Sequence, residues 1–208
     1  MKKLDIFETI KEGLSLALVN YLSIICTVIL YVITLWIPYL NVGTTIAMAS
    51  LPAEMLKGDV INPLFIFDGK YRRNMGEFLI LVSLMLGAIG TGMLFGVIPA
   101  FVISYAWYIA LILFVDKDRP ALESLRESNQ LTYGNKARIF WIEFILAAII
   151  ILACALVSAL CALSDLTWIK VCGGILIAVI AIFAVPAVLG AQAVIYKKLT
   201  EPEKEEEI

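Results

Sequence analysis

The stretch Ile139–Leu163, IFWIEFILAAIIILACALVSALCAL, runs for 25 residues with one charged side chain, Glu143, and no proline or glycine. A helix crossing the hydrocarbon core of a bilayer needs roughly 20 mostly apolar residues. The stretch predicts a transmembrane helix, and it sets the class of the chain: all-α, a polytopic membrane bundle. Working outward, Ile169–Tyr196 reads as the next span after a short polar break. On the N-terminal side, Ile98–Val115 and Phe78–Val97 read as two spans joined near Gly96–Pro99. Tyr21–Trp36 is a further span. The segment Ile37–Leu56 is apolar but interrupted by Pro38, Asn41, Gly43, Thr44, Thr45, Ser50 and Pro52. The expectation is therefore six spans in one membrane domain over 1–199, with five spans plus a re-entrant segment as the alternative. Broken backbone at membrane depth is tolerated where protein or a cavity surrounds it.

Composition agrees. Of 208 residues, 62% are apolar and 16% charged, with a mean hydropathy of +0.94; a soluble domain has about 45–50% and about 25%. Sixteen Lys+Arg against 18 Asp+Glu leave a net charge of −2, with no basic surplus to meet the phosphates of a nucleic acid. The chain has no histidine, which excludes His-based triads, His proton relays and most zinc sites.

Cations set the orientation, since cytoplasmic loops carry the excess of Lys and Arg. With six spans and an inner N-terminus, 15 of the 16 cations lie inside and only Lys170 lies outside. With five spans, Lys2, Lys3 and Lys11 move outside and the inner count falls to 12. Six spans place both termini in the cytoplasm and leave outer loops of a few residues. The location expected is the bacterial cytoplasmic (inner) membrane.

The N-terminal 19 residues lack the uninterrupted apolar run of a signal peptide, because Asp5, Glu8 and Glu12 break it. Leu4, Phe7, Ile10, Leu14 and Leu18 instead recur at helical spacing. They predict an amphipathic helix that lies on the inner leaflet or packs on the protein's own cytoplasmic side. A second such helix is expected over Arg119–Tyr133, capped by Asp118, started by Pro120, edged by Leu122, Leu125 and Leu131, and ended by Gly134. Residues 200–208, rich in Glu, read as a disordered acidic tail.

One region carries a resemblance. Ile98–Phe140 reads IPAFVISYAWYIALILFVDKDRPALESLRESNQLTYGNKARIF. A proline-started helix, an acidic residue after it, the segment ALESLRES and Gly-Asn-Lys before a new span fall here on Pro99, Asp116, Ser128, Gly134, Asn135 and Lys136. IPYLNVG, then Gly58 and FDGKYRR, match an earlier piece. The chain resembles a bacterial family of polytopic inner-membrane proteins known as domain of unknown function 975, and is similar to the membrane domain of some glycerophosphodiester phosphodiesterases. The resemblance implies a fold and a location. It transfers no catalysis, because the phosphodiesterase chemistry belongs to a separate soluble domain.

Polar groups at membrane depth are the default candidates for a site. Glu143 lies about one turn inside its span, Gln192 lies one turn before Tyr196, and Glu77 opens the span from Phe78. The three are expected either to converge on an inner-facing pocket or to act as interfacial anchors, with Glu143 paired to Lys136 or Arg138. Thr44 and Thr45 mark the broken segment as a place for a cavity. Ala88, Gly92 and Gly96 repeat every four residues, a spacing that allows close helix approach, within the bundle or between two copies in a homo-oligomer. Cys26, Cys154, Cys161 and Cys172 show no CxxC pairing; they read as buried thiols, with a Cys161–Cys172 disulfide as the alternative. Asp116 and Asp118 alternate with Lys117 and Arg119, which argues against a metal pair. No HExxH, P-loop or GxSxG occurs. The expectation is a non-enzymatic protein without cofactor or metal that organises or binds partners at the cytoplasmic face. The partners expected are the lipid bilayer, with a specific lipid or a cytoplasmic or membrane protein, and no nucleic acid. The alternative is a small transporter or lipid-handling protein with a pocket at Glu77, Glu143 and Gln192.

Overall fold

The computed structural model describes residues 3–58, 60–163 and 166–201. The acidic tail beyond Glu201 and the Ser164–Asp165 pair of the expected outer loop lie outside the described residues. Every regular element among the described residues is helical: α1 (Ile6–Val19), α2 (Tyr21–Thr34), α3 (Leu40–Glu54), α4 (Met75–Leu94), α5 (Val97–Ala106), α6 (Ala110–Asp116), α7 (Ala121–Thr132), α8 (Lys136–Ala162) and α9 (Thr167–Thr200). Three short 3₁₀ turns, Met55–Lys57, Pro63–Phe67 and Gly69–Arg72, fill the connection from α3 to α4.

Four segments are long and apolar enough to cross a bilayer: Met75–Leu94, Val97–Asp116, Lys136–Ala162 and Thr167–Thr200. A fifth arises only if α1 and α2, bent by 74°, are taken together. At 14 and 15 residues, α2 and α3 are each about 21–23 Å long at 1.5 Å per residue, short of the roughly 30 Å core.

The interrupted segment, expected as a span or a re-entrant piece, forms the helix α3, and half of it is buried. Gly43, Thr44, Ile46, Ala47, Ser50, Leu51, Pro52 and Ala53 are all inaccessible, because α3 packs against α2, α6, α9 and the 3₁₀ turns. The two threonines that marked a cavity line none of the contacts expected of one. Thr44 is fully buried with its hydroxyl 2.8 Å from that of Thr34, and Thr45 bonds Tyr31 at 3.2 Å. They join α2 to α3.

Around α3 lie three adjoining apolar clusters. One gathers Ile109, Ile112 and Leu113 of α6 and its approach with Ile139, Ile142 and Ile195. Another gathers Ile46, Tyr71, Phe78, Leu81 and Phe114. The third gathers Ile24, Leu51, Met55 and Ala193. Away from this base the helices pair off. In the α4–α5 hairpin Gly92 packs directly on Ala100, and α8 pairs with α9. The span expected over Ile98–Val115 is interrupted between α5 and α6 at Trp107–Ile109.

The large apolar residues mark the inward face of α7 better than that of α1: Leu125 is buried and Leu131 packs on the core. In α1 the buried positions are Thr9, Gly13 and Ala17, while Phe7 and Leu18 are exposed. The reason is backbone proximity to α9. A Cβ at Gly190 would fall 2.2 Å from the Gly13 carbonyl oxygen, and one at Gly13 would fall 2.7 Å from Ala191 Cα. Small residues bring two helices together; large ones cannot fit there. In α7, Ala121, Ser124, Leu125, Ser128 and Thr132 are buried, and Leu122 is exposed. The cap also differs. Asp118 does not cap α7; Pro120 occupies the cap position, and the helix starts at Ala121. Gly134 does take the left-handed conformation, at φ 77°, which a glycine adopts without steric cost.

Candidate functional site

The polar side chains of the chain gather where the helix ends meet. Glu54, on the last turn of α3, accepts from Lys57 Nζ at 2.7 Å and lies 3.6 Å from Lys70 Nζ. The Tyr71 hydroxyl donates to Glu54 Oε1 at 3.2 Å and lies 3.1 Å from the Ser50 hydroxyl. Burial pushes the Tyr71 hydroxyl up to about 12; the Ser50 hydroxyl works the other way, and the Glu54 carboxylate adds to the rise. These groups, with Arg73, Asn74, Asp116 and Asp118, line a half-enclosed polar cavity of about 300 Å³.

Across that cavity, Asp116 ends α6 and accepts a short hydrogen bond from the Tyr196 hydroxyl of α9. Asp118 sits at φ 49°, a left-handed conformation uncommon for a residue with a side chain. It accepts from Asn74 Nδ2 at 2.6 Å. That bond ties the loop before α7 to the start of α4. Among the described residues no group of three or more His, Cys, Asp or Glu side chains is placed to hold a metal ion.

The three expected pocket residues occupy separate places. Glu77 accepts from the backbone N–H of Ala121 at 3.2 Å. It supplies the cap that Asp118 was expected to give, and its charge suits the N-terminal dipole of α7. Glu143 accepts from the Tyr105 hydroxyl at 3.3 Å. The expected partners of Glu143 are engaged elsewhere: Lys136 Nζ donates to Asn129 Oδ1 at 2.9 Å, and Arg138 donates to the Leu4 carbonyl at 3.0 Å. Gln192 lies half-buried on α9, and no hydrogen bond among the described residues joins it to either carboxylate.

The six motif positions are joints. Pro99 stands in the first turn of α5. Asp116 receives Tyr196. Ser128 donates to the Ala106 carbonyl at 2.9 Å, and Thr132 lies 3.1 Å from the same oxygen. That carbonyl is freed where the span breaks after α5, and a freed backbone group inside a membrane protein needs such a partner. Gly134 turns the chain. Asn135 Oδ1 accepts from the Leu4 N–H at 3.0 Å, so Asn135 and Arg138 hold both backbone groups of one residue at the chain's beginning. Lys136 opens α8.

Several of these joints have weak sequence signals. Asn20 accepts from the Ile61 N–H at 3.2 Å at the α1–α2 bend. Lys198 reaches Glu8 at 3.3 Å and Glu12 at 3.2 Å. The i,i+4 spacing of the two glutamates hinted at a shared partner, but nothing local named Lys198. Cys161 and Cys172 are both free thiols.

A second concavity lies between α5 and α8. It is almost wholly apolar, about 520 Å³, and lined by Ile98, Phe101, Val102, Tyr105, Lys136, Ala137 and Phe140. Phe140 meets Phe101 and Tyr105 edge to face there, and those two rings lie nearly parallel. No protein-family model matches this chain, and neither a curated protein nor a solved structure matches it.

Proposed function

We propose that this chain is a non-enzymatic protein of the bacterial cytoplasmic membrane that recruits or organises other membrane components, in keeping with the resemblance to the family of unknown function. The observation that carries this reading is the contrast between its base and its arms. At the base, many of the ionisable groups are spent on internal ties: Glu77 on α7, Asp118 on Asn74, Glu54 on Lys57, Lys198 on Glu8 and Glu12. The arms are bare. Only 6% of the most apolar stretch of α8 is buried. Its open side carries Ala148, Ala155, Ala159 and Ala162, at helical spacings of seven, four and three. Association in a membrane depends on close backbone approach, which small residues permit.

For the topology, we infer that α2 and α3 enter from the cytoplasmic side as a hairpin that does not cross. Their lengths support it. A hairpin with both ends on one face also keeps 15 of the 16 cations inside, the same count as six spans. Cysteines placed at Trp36 and Tyr39 in a background lacking the native thiols test this: external labelling of intact cells overturns it.

The functional test is native mass spectrometry of the protein released directly from its membranes. A stoichiometric protein partner, or a second copy, that is lost in Ala155→Leu with Ala159→Leu supports the proposal. A chain released without any protein partner, or a partner unaffected by the double substitution, overturns it.

A further inference from the structure

The groove between α5 and α8 has a charge at one end that its own chain does not neutralise. Lys136 is the first residue of α8, at the start of a predicted span, where a bilayer presents its phosphates. Its ammonium has three donors. One goes to the neutral Asn129 amide at 2.9 Å, and no carboxylate among the described residues lies within ion-pair distance of it. Beyond Lys136 the walls are apolar: Phe101, Val102, Tyr105, Ala137 and Phe140. Glu143 does not line the groove, and Tyr105, which does, covers it with a hydrogen bond. The volume, about 520 Å³, falls in the range of roughly 300–1,000 Å³ typical of small-molecule sites.

We propose that this groove is a specific site for one anionic phospholipid, with an acyl chain against Phe101 and Phe140 and the phosphate at Lys136 Nζ. An open apolar groove with a lysine in its lining matches an amphiphile with a negative head. Arg138, two residues on, is committed to the Leu4 carbonyl, which leaves Lys136 as the discriminating charge. The inference rests on α5 and α8 lying in the bilayer, as the proposed function does. It does not need a protein partner.

The test uses the full chain, delipidated in detergent and titrated in native mass spectrometry with three probes: phosphatidylglycerol, phosphatidylethanolamine and glycerol 3-phosphate. Both lipids carry the phosphate, but the ammonium of phosphatidylethanolamine pairs with its own phosphate and repels Lys136, so phosphatidylglycerol is expected to bind about tenfold more tightly, about 1.4 kcal/mol. Glycerol 3-phosphate, with no chain to bury, is expected to leave no adduct. Lys136→Ala should remove the preference between the two lipids, Lys136→Arg should keep it, and Lys170→Ala should leave it unchanged. Ala137→Trp, which fills the groove from an exposed position, should weaken both lipids. If that variant does not fold, Val102→Trp fills it from the other wall. Equal affinity for the two lipids overturns the proposal, as does a preference that survives Lys136→Ala. Binding of glycerol 3-phosphate alone would mean a free-phosphate site and overturns it too. This experiment reads lipid mass where the functional test reads protein mass, so either can fail without the other.

Discussion

Gly190→Ala should unfasten α1 from α9. At this crossing a Cβ on Gly190 would lie 2.2 Å from the Gly13 carbonyl oxygen and 3.1 Å from Ala17 Cβ. Real Cβ contacts do not fall below 3.0 Å, so the helices must separate by nearly an ångström. Both obstacles are on a helix that is itself held at several points, by Leu4 to Asn135 and Arg138 and by Glu8 and Glu12 to Lys198. Separation therefore strains those ties as well. Overpacking of this kind costs about 1–3 kcal/mol, offset by up to about 1 kcal/mol of helix propensity gained on replacing glycine with alanine. Taking the middle of the overpacking range, about 2 kcal/mol, the net loss is about 1–2 kcal/mol, a fall in unfolding midpoint of about 2–8 °C for a chain of this size. The control is Gly90→Ala in α4, where nothing lies within 4 Å of the added carbon; there only the propensity term acts, and the midpoint should hold or rise. Thermal unfolding in detergent, with limited proteolysis reporting release of α1, measures both. A Gly190→Ala protein as stable as the parent, or a Gly90→Ala protein that loses as much, would refute the tight crossing.

Asn135→Ala removes the acceptor of the buried Leu4 N–H and should cost about 1–3 kcal/mol, with faster protease cleavage ahead of α1. Tyr71→Phe deletes the hydroxyl between Ser50 and Glu54 and should cost about 1 kcal/mol. The tyrosinate absorbance that Tyr71→Phe removes from the parent's titration should be that of a group ionising near pH 12 rather than 10. Because the neutral form is the favoured one when folded, that contribution is complete below pH 10 and is lost as pH rises through 12. Glu143→Gln keeps an acceptor for Tyr105 and should leave the unfolding midpoint within a degree or two, whereas Glu143→Leu strands the Tyr105 hydroxyl and should cost about 1–3 kcal/mol.

Hydropathy alone located the four long apolar segments and the all-helical class, because the demand for about 20 apolar residues is local to each segment. The turns at Gly96 and Gly134 were equally legible, since positive φ falls to glycine for reasons internal to the residue. Helical spacing of large apolar residues marked Leu125 and Leu131 of α7 but misjudged the buried face of α1. Large apolar residues mark a face that suits burial in general, yet the face chosen depends on how near the partner backbone comes, and Gly13 meets Gly190 from 177 positions away. Glu77, Glu143 and Gln192 were expected to converge on one pocket or to anchor at the interface, and the structure holds the two carboxylates at separate joints. Their partners were not readable: Ala121 is 44 residues from Glu77, and Tyr105 is 38 residues from Glu143. A buried hydrogen bond between distant segments leaves no periodicity behind. The sequence determined that the chain is helical and apolar enough for a membrane, because that follows from the bilayer as a solvent; it did not determine the number of spans, since two of the six stretches expected to cross, Tyr21–Trp36 and Ile37–Leu56, hold helices of only 14 and 15 residues. Only the tertiary structure decided which polar groups serve as joints, where the apolar groove opens and which helices stay bare, because those depend on the meeting of surfaces far apart in the chain.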